Sequence, residues 1–277
     1  MKARIKFQKY GAMKFIGHLD VMRYFQKAFR RADIDSEYSK GYSPHQIMSF
    51  AAPLGVGLTS DAEYLDVSLL SSDEPQVMVE RINAVLTDGF RVVDFHPLLE
   101  PEVNQRVVTA MSLVESADYM VSLKDGYSIS EDIVNEEDLK NAFTNFYQKP
   151  EIVIEKKTKN SEKEVDIKPM IRFVAFDEEE YQAKRLANMS ETAIELLKKA
   201  EKEQYNSMAD SYENGIKIYL QIDTGSSANL KPELVLEAFY AYLGVPFEKF
   251  AWQVHRLEVY TKNQETGKLS ALNQVER

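Results

Sequence analysis

The chain has 277 residues, 44% apolar and 28% charged, with a net charge of −10 and no cysteine. This is a globular composition that excludes disulfides, thiolate zinc sites and cysteine-ligated iron–sulfur clusters. No run approaches the roughly 18 apolar residues of a membrane span, and the scattered histidines lack HExxH spacing.

The first residues, "MKARIKFQKYG", lack the apolar centre of a signal peptide, so the chain reads as a soluble cytoplasmic protein. Along residues 3–10, Ala3, Ile5 and Phe7 alternate with Arg4, Lys6, Gln8 and Tyr10, the pattern of a half-buried strand. Residues 17–33 read as an amphipathic helix. Val21, Met22, Phe25, Ala28, Phe29 and Ala32 share one arc, and Arg23, Lys27 and Arg30 the opposite one. Strands are expected at 46–52, 62–70 and 90–98, the last closed by Pro97. A second helix is expected at 74–86, capped by Ser72 or Asp73.

This β-α-β-β-α-β order is the split βαβ pattern of a ferredoxin-like half, and the alternation recurs downstream. Residues 117–123, 151–158, 164–176, 215–223 and 252–261 read as strands. Residues 135–149, with Asn135 as cap, and 231–244 read as helices. The expected fold class is α+β, with two ferredoxin-like halves, 1–112 and 113–277, each with an antiparallel sheet. Residues 178–213 form a charged helical insertion in the second half, with Ala187, Ile194 and Leu197 as a thin apolar stripe.

Charge is unevenly spread. Residues 1–50 hold ten Lys/Arg against four Asp/Glu, and residues 51–100 hold two against nine. A basic ledge on an acidic protein is therefore expected. Its candidates for anion or RNA binding are Arg23, Lys27, Arg30 and Arg31 from the helix. The following loop adds Lys40, Gly41, Tyr42 and His45. Strand geometry places His18 and His45 at opposite edges of the sheet, about 20 Å apart, which weighs against a two-histidine acid–base site. Arg4 and Lys6 are expected to pair with carboxylates across strands, such as Asp66, rather than with a ligand.

Residues 4–67 carry a further signal. A strand runs to a phenylalanine and "HLD", a helix ends in two arginines, and "SKGYSPHQ" and "PLGVGLTSDAEYLDV" follow. This resembles the N-terminal signature of the radical SAM-linked protein family, a group of uncharacterised function. Phe15, His18, Leu19, Asp20, Arg30, Arg31, Gly41, Pro44, His45, Pro53, Leu54, Gly55 and Tyr64 occupy matching positions. Tyr42, Ser43 and Gln46 depart from the usual phenylalanine, asparagine and proline. The resemblance implies a radical S-adenosylmethionine enzyme as partner, and neighbouring roles in the family hint at RNA or ribosome maturation. Without cysteine, this chain cannot carry that enzyme's cluster, and no cofactor is expected in it.

Three functional readings follow. The first is a non-catalytic companion that binds RNA or substrate for a radical SAM enzyme. The second is a metal-independent RNA-acting enzyme, with His18 or His45 as acid or base, or with Asp20 or Asp166 acting in base modification. The third is a structural interaction protein in which the 39–57 loops are only turns.

Overall fold

The computed structural model describes residues 1–99, 108–157, 162–200 and 206–275. It is a mixed α+β fold with mostly antiparallel strand pairing, divided into two compact units. The first unit comprises Met1–Glu115, Asn188–Ala209 and Arg256–Arg277. The second comprises Ser116–Ala187 and Asp210–His255.

In the first unit, β1 (Lys2–Lys9) pairs antiparallel with β3 (Thr59–Ser68) on one side and β4 (Phe90–Leu98) on the other. The short β2 (Met48–Phe50) pairs with β3, so the expected strand over 46–52 is only three residues long. Pro97 lies within β4 opposite Ala3 and does not end it. One face of this sheet carries Ala3, Ile5, Phe7, Leu65, Val67, Val92 and Phe95 into the core. Helix α1 (His18–Arg31) covers it with Val21, Phe25, Ala28 and Phe29, all buried as the helical period requires. The Phe7 and Phe25 rings meet at 4.6 Å between centroids. Helix α2 (Pro75–Asn83) adds Met78 and Ile82. Neither expected residue caps α2. Glu74 holds the N-cap position without a side-chain bond, and Asp73 pairs with Arg81 instead.

A short helix, α3 (Ala110–Leu113), precedes the second unit, which begins with β5 (Ser116–Leu123). Helix α4 (Glu136–Tyr147) is capped as expected, with Asn135 Oδ1 accepting from Asp138 N–H at 3.0 Å. The run read as one strand over 164–176 is broken. Its first part, β7 (Glu162–Asp166), pairs with β6 (Val153–Lys157) as a separate two-stranded sheet. A 3-10 turn at Pro169 then leads to β8 (Ile171–Ala175). Proline lacks the N–H that a continuing ladder would need. β9 (Lys217–Asp223) lies between β5 and β8, antiparallel to both.

Residues 178–200 of the expected insertion form α5 (Glu178–Asn188) and α6 (Glu191–Ala200), while 201–205 lie outside the described residues. The residues buried here are Tyr181, Met189 and Ala193, not the stripe read from sequence. Helix α7 (Pro232–Leu243) ends at Gly244, whose φ of 72° is the left-handed cap that glycine adopts without strain. Its Phe239 packs on Phe143 of α4 at 4.8 Å. The last long strand, β10 (Trp252–Lys262), contributes Trp252–His255 to the second unit and the rest to the first. There it pairs with β11 (Leu269–Ala271).

Candidate functional site

In the first unit, the polar parity of β1 is buried along with the apolar one. Arg4 Nε donates to Asp66 Oδ1 at 2.7 Å, the pairing expected from sequence, and Arg4 Nη1 donates to Leu272 O at 2.8 Å. Lys6 Nζ reaches Glu258 at 2.7 Å, and Glu258 also accepts from Tyr64 O–H at 2.6 Å. Gln8 donates to Asp61, which further accepts from Ser207 Oγ and Met208 N–H. Each buried cation or amide donor thus meets an acceptor within its own unit, as burial requires.

A charged cluster also lies on the other side of the sheet, next to the aromatic core. A cavity of about 10 Å³, room for about one water molecule, is lined by Phe7, Lys9, His18, Val21, Phe50, Pro53, Leu54 and Glu63. Glu63 Oε1 accepts from Arg256 Nη1 at 2.7 Å, and that guanidinium also donates to Ala52 O at 2.6 Å. Burial pushes the Glu63 carboxyl above its ordinary value, against the opposing pull of Arg256, Ser60 and Lys9. Burial likewise depresses the Lys9 ammonium, with Glu63 opposing the shift and Arg256 adding to it. The Lys9 ammonium donates to Ile16 O at 3.3 Å. Burial also lowers the pKa of His18, favouring the neutral imidazole, which packs edge-on to Phe50 at 5.0 Å.

The sequence reading placed His18 near this edge of the sheet but missed Lys9, Glu63 and Arg256. A signal was present in the parity of the strands. Lys9 shares the apolar parity of Ile5 and Phe7, and Glu63 that of Leu65 and Val67. A charge at a core position calls for a buried partner.

The candidate anion-binding residues lie on the outside of the same unit. Arg23, Lys27, Arg30 and Arg31 are exposed on α1. Arg23 is 3.4 Å from Asp20 in an exposed i,i+3 pair, while Arg31 donates to Val85 O at 3.0 Å and lies over the Tyr24 ring. Lys27 and Arg30 make no hydrogen bond or ion pair among the described residues. The 39–45 loop is a closed hairpin. Ser39 N–H donates to His45 O at 2.8 Å, and Ser39 Oγ lies 2.9 Å from His45 Nδ1. Gly41, with φ of 121°, turns the tip and leaves Lys40 exposed and Tyr42 fully so. No described hydrogen bond or ion pair joins this hairpin to the arginines or brings His45 to His18.

Asp166 lies in the second unit. Its Oδ1 accepts from Ile152 N–H at 2.9 Å and Lys168 N–H at 3.0 Å, closing the turn after β7.

The profile of a family described as an uncharacterised protein conserved in bacteria (DUF2344) matches residues 2–232. The chain belongs to this family. The match takes in Lys9, His18 and Glu63 and ends before Arg256 and Glu258, which neutralise two of the buried charges. None of the curated proteins matches the chain. No described helix is long and apolar enough to cross a membrane, and no described cluster of acidic and histidine side chains could hold a metal ion.

Proposed function

We propose that this member of the family is a non-catalytic companion subunit of a radical S-adenosylmethionine enzyme, and that it grips RNA through the outer face of α1 and the 39–45 hairpin. The observation carrying the RNA part is the difference between Lys27 and Arg30 and the cations of β1. The former stand exposed with no described partner, whereas Arg4 and Lys6 are each matched by a carboxylate. Exposed cations on α1 and the fully exposed aromatic Tyr42 at the hairpin tip are the side-chain types that suit a phosphate backbone and an unstacked base. The enzyme-partner part rests on the resemblance over residues 4–67. Support for two ferredoxin-like halves comes from the strand orders β4-β1-β3-β2 and, with the separate β6–β7 pair set aside, β10-β5-β9-β8, each running fourth, first, third, second.

The test is binding of a small structured RNA across a salt series. Each phosphate contact adds about 0.9 to the slope of log affinity against log salt, so Lys27→Ala with Arg30→Ala should flatten that slope by about 2. Absent or salt-independent binding removes the RNA role. Failure of the tagged protein to co-purify a radical SAM enzyme removes the companion role.

A second reading is favoured by the Ser39–His45 contact. With Nδ1 tied to Ser39, any proton transfer by this exposed histidine falls to Nε2. Cleavage of RNA by the wild-type protein, lost in His45→Ala, would replace the companion reading with an RNA-acting enzyme.

A further inference from the structure

The second unit holds a groove of about 480 Å³, within the size range of ligand sites. Five consecutive residues, 151–155, line it, the last four of them running into the strand β6. Side chains of successive strand residues point to opposite faces, so a groove that touches all four runs along the edge of the strand. That strand, β6, has one neighbour, β7, in its two-stranded sheet. Ile167 N–H donates to Ile152 O, and Ile154 stands opposite Val165. By alternation, the backbone N–H and C=O of Val153 and Glu155 then face away from β7, along the open edge.

The opposite wall is a helical stripe. Leu234, Ala238, Ala241 and Tyr242 follow one another at the spacing of a single face of α7, and none of the four is fully buried. Val153 on the strand side is 47% exposed. Charge then selects among occupants. Glu151, Glu155 and Glu237 line the groove. Among the described residues, Lys149 is the one cation in its lining, and its ammonium sits 4.6 Å from the centre of the Tyr242 ring. An acidic, partly apolar groove repels nucleic acid and favours a cationic partner.

We propose that this groove binds an extended peptide in which basic and apolar residues alternate, added as a strand to the free edge of β6. The peptide backbone pairs with Val153 and Glu155, its apolar side chains lie against the α7 stripe, and its cations meet the three glutamates. This goes beyond the RNA reading, which concerns α1 in the first unit, and the two stand or fall separately.

The test starts by panning the full-length protein against a displayed library of random linear peptides and synthesising the strongest sequence. Enrichment should give alternating Lys/Arg and apolar residues. N-methylation of alternate peptide amides on the pairing edge, or replacement of the peptide's cations by glutamate, should weaken binding at least about tenfold with the protein untouched. Amide exchange at Val153 and Glu155 should slow on binding, and Ala238→Arg should abolish it while Lys27→Ala leaves it unchanged. Failure to enrich any sequence overturns the proposal, as does enrichment of acidic ones. Equal affinity of the N-methylated peptide, or unchanged exchange at β6, also overturns it and points to a compact small-molecule site.

Discussion

Strand β1 and helix α1 are neighbours in sequence, both amphipathic and both rich in cations. Arg4 and Lys6 of β1 are buried, with carboxylates at 2.7 Å, and Lys9 is buried between Ile16 O and the charge of Glu63. Lys27 and Arg30 of α1 are exposed and have no described partner. A strand in mid-sheet can be covered on both faces, so every charge on it must be matched inside the fold. A helix lying on a sheet keeps one face in solvent, and a cation there costs little and is available to a ligand. Cations on the strand therefore stabilise the fold only while their partners remain, whereas those on the helix are open to a binding role.

The sharpest way to break that contrast is at Arg256. Arg256→Leu leaves the Glu63 carboxylate buried without its guanidinium, and urea unfolding should show a loss of about 3–5 kcal/mol. Adding Glu63→Gln should recover about half of it, because the uncompensated charge, not the lost contact, carries most of the cost. A smaller effect is expected at Lys9. Its burial penalises the ammonium, so Lys9→Met should change stability by less than about 1.5 kcal/mol. A larger loss would show that the Glu63 attraction outweighs desolvation. On α1, Lys27→Ala and Arg30→Ala should each alter unfolding by less than about 0.5 kcal/mol while RNA affinity falls. Equal losses of stability and binding would erase the distinction between strand and helix.

The smallest effect concerns pH. Burial holds the folded-state pKa of His18 below the ordinary 6.5, so the unfolded chain takes up the proton first. The stability that the neutral imidazole contributes is complete above pH 6.5 and is lost as pH falls through that value toward the folded pKa. Glu63 acts oppositely. Its raised pKa favours the protonated carboxyl, so its burial penalty at neutral pH eases on acidification. Comparison with His18→Asn isolates the histidine: the stability gap between the two proteins should narrow as pH drops below 6.5. A constant gap would mean that His18 is not held neutral.

Much of the first unit was readable in order. The core arc of α1, the span of β4 and the Arg4–Asp66 pair follow from periodicity and cross-strand parity. The Asn135 cap was local too. The misses have a common cause in distance along the chain. β2 shrank to three residues beside β3. Tyr181, Met189 and Ala193 are buried by neighbours that helical spacing could not name. Arg256 meets Glu63 from 193 residues away.

By itself, the sequence determined which residues alternate or recur on a face, and hence which elements form and which face of α1 is apolar. Only the tertiary structure decided which charges are sealed inside and which are left to solvent. Periodicity is a property of neighbouring residues, whereas the fate of a charge depends on what the rest of the chain, however remote, brings to within about 3 Å of it.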